Sequence, residues 1–191
     1  RILAISSKRT EERLVNPLTK EEMRAILDAP DPSTRSGIRD QAMLYLGFAA
    51  GLRVSELVGL RLDDIELDRP YPSILVRGKG RQQRRLPLWK EATRALRAWV
   101  AVRGGAPVPE VFLNVHGEAL TCSGFTYIAK KYVHVAMPQR PGLSDKRVSP
   151  HVLRRTCAIN SLQATRDIRK VALWLGHVSG AAGQVIQGIR L

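Results

Sequence analysis

Five basic side chains in a fixed order constrain this chain more than any other feature. Arg53 sits in Gly51-Leu52-Arg53-Val54-Ser55-Glu56-Leu57 and Lys79 in Arg77-Gly78-Lys79-Gly80. His151 and Arg154 sit in Ser149-Pro150-His151-Val152-Leu153-Arg154, and His177 closes Trp174-Leu175-Gly176-His177. They span residues 53 to 177, so a fold that uses them together has to bring distant segments to one place. Two arginines, a lysine and two histidines suit a phosphodiester. The arginine fork gives two bonds to a phosphate and stays charged. Lysine can be tuned to donate a proton, and histidine can take or give one. Non-bridging oxygens need such donors as charge builds on them. Taken singly, each residue also has a bland reading: Arg53 as a surface side chain at a helix start, Lys79 as a solvated hairpin tip, His151 and Arg154 as a polar pair on one helix face, His177 as a helix C-cap.

Charge points the same way. The 191 residues carry a net charge of +14, with a pI near 10.7, which predicts an anionic partner. The excess is uneven, with five basic residues and no acid between Arg77 and Arg85. The two cysteines, Cys122 and Cys157, form neither a metal-ligand spacing nor a disulfide framework, so a reducing, cytoplasmic setting is expected. No stretch approaches the ~20 apolar residues that span a bilayer, and no signal peptide is visible.

The local pattern predicts a mainly α fold with a small antiparallel β-sheet, an α+β class. Residues 1–17 read as a linker. Thr19-Lys20-Glu21-Glu22 is a capping box that opens a helix to about Leu27, and Asp31-Pro32-Ser33-Thr34 reads as a loop. A buried helix is expected over Arg39–Ala50, ended by Gly51, then a short one near Val54, with Leu57, Leu60 and Leu62 packing inward. Residues 73–77 and 84–88 read as a hairpin whose second strand, holding Pro87, lies at an edge. A basic amphipathic helix follows over 90–103. Val111-Phe112-Leu113 reads as a third strand, 121–136 as a helix and Pro138–Ser149 as a basic loop. Pro150 opens a helix to about Ala164, and Asp167 caps another that reaches Leu175.

In that order, the frames resemble the catalytic domain of the tyrosine recombinases, the phage-type integrases. The Ser-Pro-His-x-Leu-Arg-x-Thr frame is the most specific of them, and Arg155 stands where the family usually has histidine. The resemblance implies that Arg53 and Arg154 clamp the scissile phosphate and that Lys79 protonates the leaving oxygen. It implies a proton-transfer role for His151 and a phosphate hydrogen bond from His177. Arg77, Arg81, Arg84, Arg85, Lys146, Arg147 and Arg155 are expected to bind the DNA backbone. The implied domain runs over 18–179, with 180–191 as an atypical tail and the family's N-terminal DNA-clamping domain absent. The implied reaction is DNA strand cleavage and rejoining through a 3′-phosphotyrosyl link, without metal or nucleotide cofactor. The implied partners are double-stranded DNA and further copies of the chain, tetrameric in the family's synapse, with no membrane.

One position departs from that pattern. The family places a tyrosine nine residues after the last histidine, and here that position is Ile186. The tail runs Gly180-Ala181-Ala182-Gly183-Gln184-Val185-Ile186, and both family threonines are gone with the tyrosine. Tyr45, Tyr71, Tyr127 and Tyr132 all precede His151, and Tyr45 and Tyr132 read as packing residues. The chain is therefore expected not to cleave DNA covalently in cis. A frame change after His177, a tail unlike the natural end, or a tyrosine supplied in trans would each account for this. A DNA-binding protein without catalysis, derived from a recombinase, is the alternative function. A type IB topoisomerase shares the chemistry, but the Leu-Gly-His frame and short hairpin favour the recombinase. RNA binding is remote, because no aromatic stacking platform is evident.

Overall fold

Capping chemistry starts most of the helices. The structure, a computed structural model, describes residues 17–78 and 83–176. Thr19 and Glu22 satisfy each other's amides: Glu22 N donates to Thr19 Oγ1 at 3.2 Å and Thr19 N to Glu22 Oε2 at 2.7 Å. They open α1 (Lys20–Asp28). The second helix, α2 (Arg35–Ala49), begins at Arg35 rather than Arg39, because the Asp31–Thr34 loop is itself the cap. Thr34 Oγ1 accepts from Gly37 N at 3.0 Å, and Asp31 Oδ1 accepts from Ser33 N at 2.9 Å. The short α3 (Val54–Val58) follows Gly51. Further on come α4 (Lys90–Arg103), α5 (Cys122–Ala136, capped by Thr121), α6 (Pro150–Thr165, capped by Ser149) and α7 (Ile168–Leu175, capped by Asp167). The expected Pro138–Ser149 loop holds a 3₁₀ turn over Pro141–Leu143 that buries Leu143.

The sheet is antiparallel, in the order β1 (Ile65–Glu66), β2 (Ser73–Arg77), β3 (Gln83–Pro87). Register runs from Ser73 opposite Pro87 to Arg77 opposite Gln83, so β3 is an edge strand with its proline at the end of the ladder. The third strand is β1, not Val111-Phe112-Leu113. Two residues are too short to show an alternating pattern, which is why β1 escapes a sequence reading. Val111, Phe112 and Leu113 are instead fully buried irregular chain, joined to the rest by isolated bridges (Arg61 with Glu110, Leu113 with Ala119). Leu62 also departs from expectation and is 36% exposed. A 3₁₀ turn over Leu62–Asp64 turns the Asp64 carboxylate inward in its place, where it accepts from Arg61 N at 3.2 Å.

One apolar core joins α1 to α6 and the sheet, built around Met43, Leu44, Leu46, Leu57, Leu96 and Phe112. Along it α2 packs on α4. Trp99 Nε1 donates to Val111 O at 2.8 Å, and the buried Arg103 guanidinium donates to the Val108, Glu110 and Val111 carbonyls. Those bonds satisfy the polar backbone of a loop that would otherwise be costly to bury. The last described helix, α7, is attached differently. Val171 and Leu175 of α7 form a small separate cluster with Ala158 of α6, flanked by Leu162 and Trp174.

Phe112 and Leu173 set the two ends of a stability test. Phe112→Ala is expected to cost about 3–5 kcal/mol, since the side chain is fully enclosed. Leu173→Ser, at a side chain 74% exposed, should stay within ~0.5 kcal/mol. Urea unfolding of both variants against the parent chain measures the difference.

Candidate active site

A buried carboxylate organises the basic side chains. Glu56, one turn into α3, accepts the Arg53 backbone amide at 2.9 Å and the Arg53 guanidinium at 2.8 Å. Arg84 reaches over from β3 and forks onto both carboxylate oxygens, at 3.0 and 2.9 Å. Arg154 of α6 approaches to 3.9 Å. Burial pushes the Glu56 carboxyl up, but the hydrogen bonds from Arg84 and Arg53 outweigh it and hold the group below its ordinary value. The Arg154 guanidinium is pushed down to about 10, first by burial and then by the neighbouring Arg53 cation, and so stays charged at neutral pH. With three guanidiniums and one carboxylate, the cluster carries two net positive charges.

The same three arginines meet the end of α7. Arg84 Nε donates to Trp174 O at 3.1 Å, Arg154 to Leu175 O at 2.5 Å and Arg53 to Gly176 O at 3.3 Å. A helix leaves its last carbonyls unpaired and carries partial negative charge there, so three successive carbonyls are natural partners for cations. Gly176 closes the helix in the left-handed region, at φ 65°. A Cβ at that residue would lie 2.7 Å from an Arg84 terminal nitrogen. Gly51 is constrained in the same way. Its φ is +58°, a Cβ there would lie 2.7 Å from Leu175 Cδ2, and its carbonyl accepts from Arg154 at 2.5 Å. The glycines of the Gly-Leu-Arg and Leu-Gly-His frames are thus what lets α6 and α7 close on the arginines.

The structure brings Arg53, Arg84 and Arg154 together and sets His151 on the exposed side of α6, one turn before Arg154. Arg53 is the most open of the arginines, with its side chain 42% exposed against 15% for Arg84 and 12% for Arg154. Lys79, Arg81, His177 and Ile186 lie outside the described residues. Of the expected backbone binders, Arg77 pairs with Asp64 at 2.7 Å and Arg85 with Glu66 at 2.7 Å. Lys146 pairs with Glu22 at 2.6 Å, Arg147 is exposed, and Arg155 is half-buried on α6. Two features went unread in the sequence. One is the place of Glu56 as shared partner of three arginines, and the other is the inward turn of Arg84, expected as a DNA-backbone binder. The strand alternation held a signal, since Arg84 shares the inward face of β3 with Leu86 while Arg85 faces outward. Tyr132 is a packing residue: its hydroxyl donates to Asp40 at 3.0 Å, and burial together with that charge pushes the phenol up. Tyr45 is partly buried beside the same core.

The sequence pattern of the Phage integrase family matches residues 16–185. The chain belongs to the phage integrase family. This family member is 42% identical over 185 residues to a protein of Sinorhizobium fredii (strain NBRC 101917 / NGR234) that goes by the name integrase/recombinase y4rC, a match that covers 97% of this chain and 55% of the relative. It is 35% identical over 193 residues to tyrosine recombinase XerC of Pelotomaculum thermopropionicum, with 96% of this chain and 60% of the relative covered. Among solved structures it superimposes on XerA recombinase with a TM-score of 0.77 at 26% identity, covering 91% of this chain and 60% of XerA. XerH bound to a palindromic difH substrate shares the fold at a TM-score of 0.79 and 23% identity, over 95% of this chain and 52% of XerH. The phage integrase chain thus spans between half and two thirds of the length of these proteins. Among the described residues, no helix is long and apolar enough to cross a membrane, and no group of three or more metal-binding side chains is present.

Glu56 ties stability to pH. Its carboxyl is held below the ordinary 4.5, so its contribution is complete above about pH 4.5 and is lost as pH falls through the folded-state value. Urea midpoints followed from about pH 7 to about pH 3 should therefore fall less steeply in Glu56→Gln than in the parent chain. Parallel profiles would reject the assignment.

Proposed function

We propose that this chain is the catalytic-type domain of a site-specific DNA recombinase or integrase, holding a phosphodiester site in Arg53, Lys79, His151, Arg154 and His177. The observation that supports it most is the arginine cluster on Glu56, tied to the last carbonyls of α7 directly before His177. Such a cluster suits a dianion-like transition state, because fixed donors stabilise developing charge without having to reorganise.

In this reading Arg53 and Arg154 hold the non-bridging oxygens of the scissile phosphate. A tyrosine phenol attacks phosphorus. The new phenolic O–P bond forms as the bond to the 5′ oxygen breaks, His151 takes the phenolic proton and Lys79 supplies one to the leaving oxygen. His177 hydrogen-bonds the phosphate. No metal or nucleotide takes part. The duplex is held by Arg77, Arg81, Arg85, Lys146, Arg147 and Arg155, and copies of the chain assemble on DNA in the cytoplasm. The nucleophile is the exception. With isoleucine at 186 and no tyrosine after Tyr132, this chain holds the phosphate but does not itself form the covalent link. A DNA-binding role without cleavage is the second reading, and the absent tyrosine favours it.

Two measurements test the proposal. Vanadate, as a phosphate mimic, is expected to bind the parent chain and to lose binding in Arg154→Gln; unchanged binding would overturn the site. A duplex with a 5′-bridging sulfur at the cleavage point traps covalent intermediates. The chain alone should bind duplex DNA, with an affinity that falls steeply with salt, yet give no denaturant-resistant adduct. An adduct would show a nucleophile that this reading lacks.

A further inference from the structure

Arg84 does something that its place among the hairpin cations does not suggest. We infer that Arg84 is a positioning residue: it locks the Glu56 carboxylate to the end of α7, and so sets where Arg53 and Arg154 stand when a phosphate arrives. The inference rests on the phosphate site proposed above.

The geometry is that of a bracket. A guanidinium carries five N–H donors in one plane. Arg84 commits both terminal nitrogens to the two Glu56 oxygens and its Nε to Trp174 O. Its side chain is 15% exposed, against 42% for Arg53. Three of its five donors are thus turned to protein. Its neighbour Arg85 points to the opposite face and pairs with Glu66, so the strand separates the two adjacent arginines.

The bracket matters because Arg53 and Arg154 depend on the same two anchors. Arg53 bonds Glu56 and Gly176 O, while Arg154 sits by Glu56 and bonds Leu175 O. If Glu56 or the α7 terminus shifts, Arg53 loses both of its guanidinium partners and Arg154 keeps only its bond to Gly51 O among those described. Arg84 makes the fuller link: its guanidinium forks onto both Glu56 oxygens and adds Nε to Trp174 O, where the Arg53 guanidinium gives one bond to Glu56 and one to Gly176 O. Lysine cannot replace it, since a single nitrogen on a flexible stem cannot span two carboxylate oxygens and a carbonyl. Among the described residues, the charged groups facing Glu56 are Arg53 at the start of α3, Arg84 from β3 and Arg154 from α6.

The full chain with Arg84→Gln and with Arg84→Lys provides the test. Three quantities are read: the Glu56 carboxyl titration by carbon-13 NMR, vanadate affinity and thermal melting. Positioning predicts that Arg84→Gln moves the Glu56 midpoint upward and weakens vanadate about tenfold or more in chain that is still folded. It also predicts that Arg84→Lys, though charged, fails to restore either value. Full recovery by lysine with an unmoved Glu56 midpoint would make Arg84 a direct phosphate contact and overturn the inference. Lower melting with unchanged vanadate affinity would make it merely structural, again overturning it. If Arg84→Gln does not fold, the lysine variant decides alone. Failure of the phosphate site itself looks different: the parent chain, or Arg154→Gln, then departs from its expected vanadate binding. A Glu56 shift without any vanadate binding in the parent would leave Arg84 structural and overturn positioning as well.

Discussion

A single buried carboxylate makes the rest of this site feasible. Arg53, Arg84 and Arg154 are three like charges gathered from a helix start, a strand and a second helix, and their mutual repulsion grows as water is removed. Glu56 supplies the counter-charge within hydrogen-bond reach of two of them and within ion-pair reach of the third. A buried carboxylate is costly by itself, and a buried arginine cluster is costly by itself. Together each offsets the desolvation of the other, provided the bonds are well formed. The Arg53-Val54-Ser55-Glu56 spacing follows from this. Three residues are just under one helical turn, so the carboxylate folds back onto the amide and the guanidinium of the residue that caps the helix.

The end of α7 supplies the second half of the balance. Its carbonyls present partial negative charge, and they take one bond from each arginine. The apolar hold on α7 rests on Val171 and Leu175 against Ala158, with Trp174 packed against both this cluster and the main core. Polar bonds to the arginines add to it. This gives the Leu-Gly-His frame a physical meaning. Leu175 fills the small apolar cluster, and Gly176 turns the chain in a conformation that other residues resist.

Much of this was legible in the sequence, and what was not shares a cause. Helices were readable because their starts are local: Thr19 with Glu22, Ser149 before Pro150, Asp167 before Ile168. The hairpin was readable because alternation and a glycine-flanked turn are local too. Val111-Phe112-Leu113 misled because its apolar run looks like a strand, whereas its partners are Trp99, Arg103 and Leu60, each fixed by the tertiary fold. Leu62 misled because the pull on the neighbouring Asp64, from Arg61 and from Arg77 on β2, decides which side chain turns inward. Within the site, the frames of Arg53 and Arg154 stood out by their resemblance to the family's motifs. Arg84 did not, because its distinction from Arg85 lies only in which face of β3 is covered, and what covers it is α3 and α7.

The arginine cluster and the missing tyrosine are physically separable. The described bonds that fix Arg53, Arg84 and Arg154 run to Gly51, Glu56, Trp174, Leu175 and Gly176. All of these precede residue 177. A change confined to the tail leaves those partners in place, so in the proposed reading holding a phosphate and attacking it answer to different parts of the chain. Loss of a nucleophile need not erode the positive site, because the site's arginines are held by a carboxylate and by backbone carbonyls that no tail substitution removes. The family frames around Arg53 and Arg154 can therefore persist intact beside an isoleucine at 186: what keeps them in register is the mutual packing of α3, β3, α6 and α7, not the reaction.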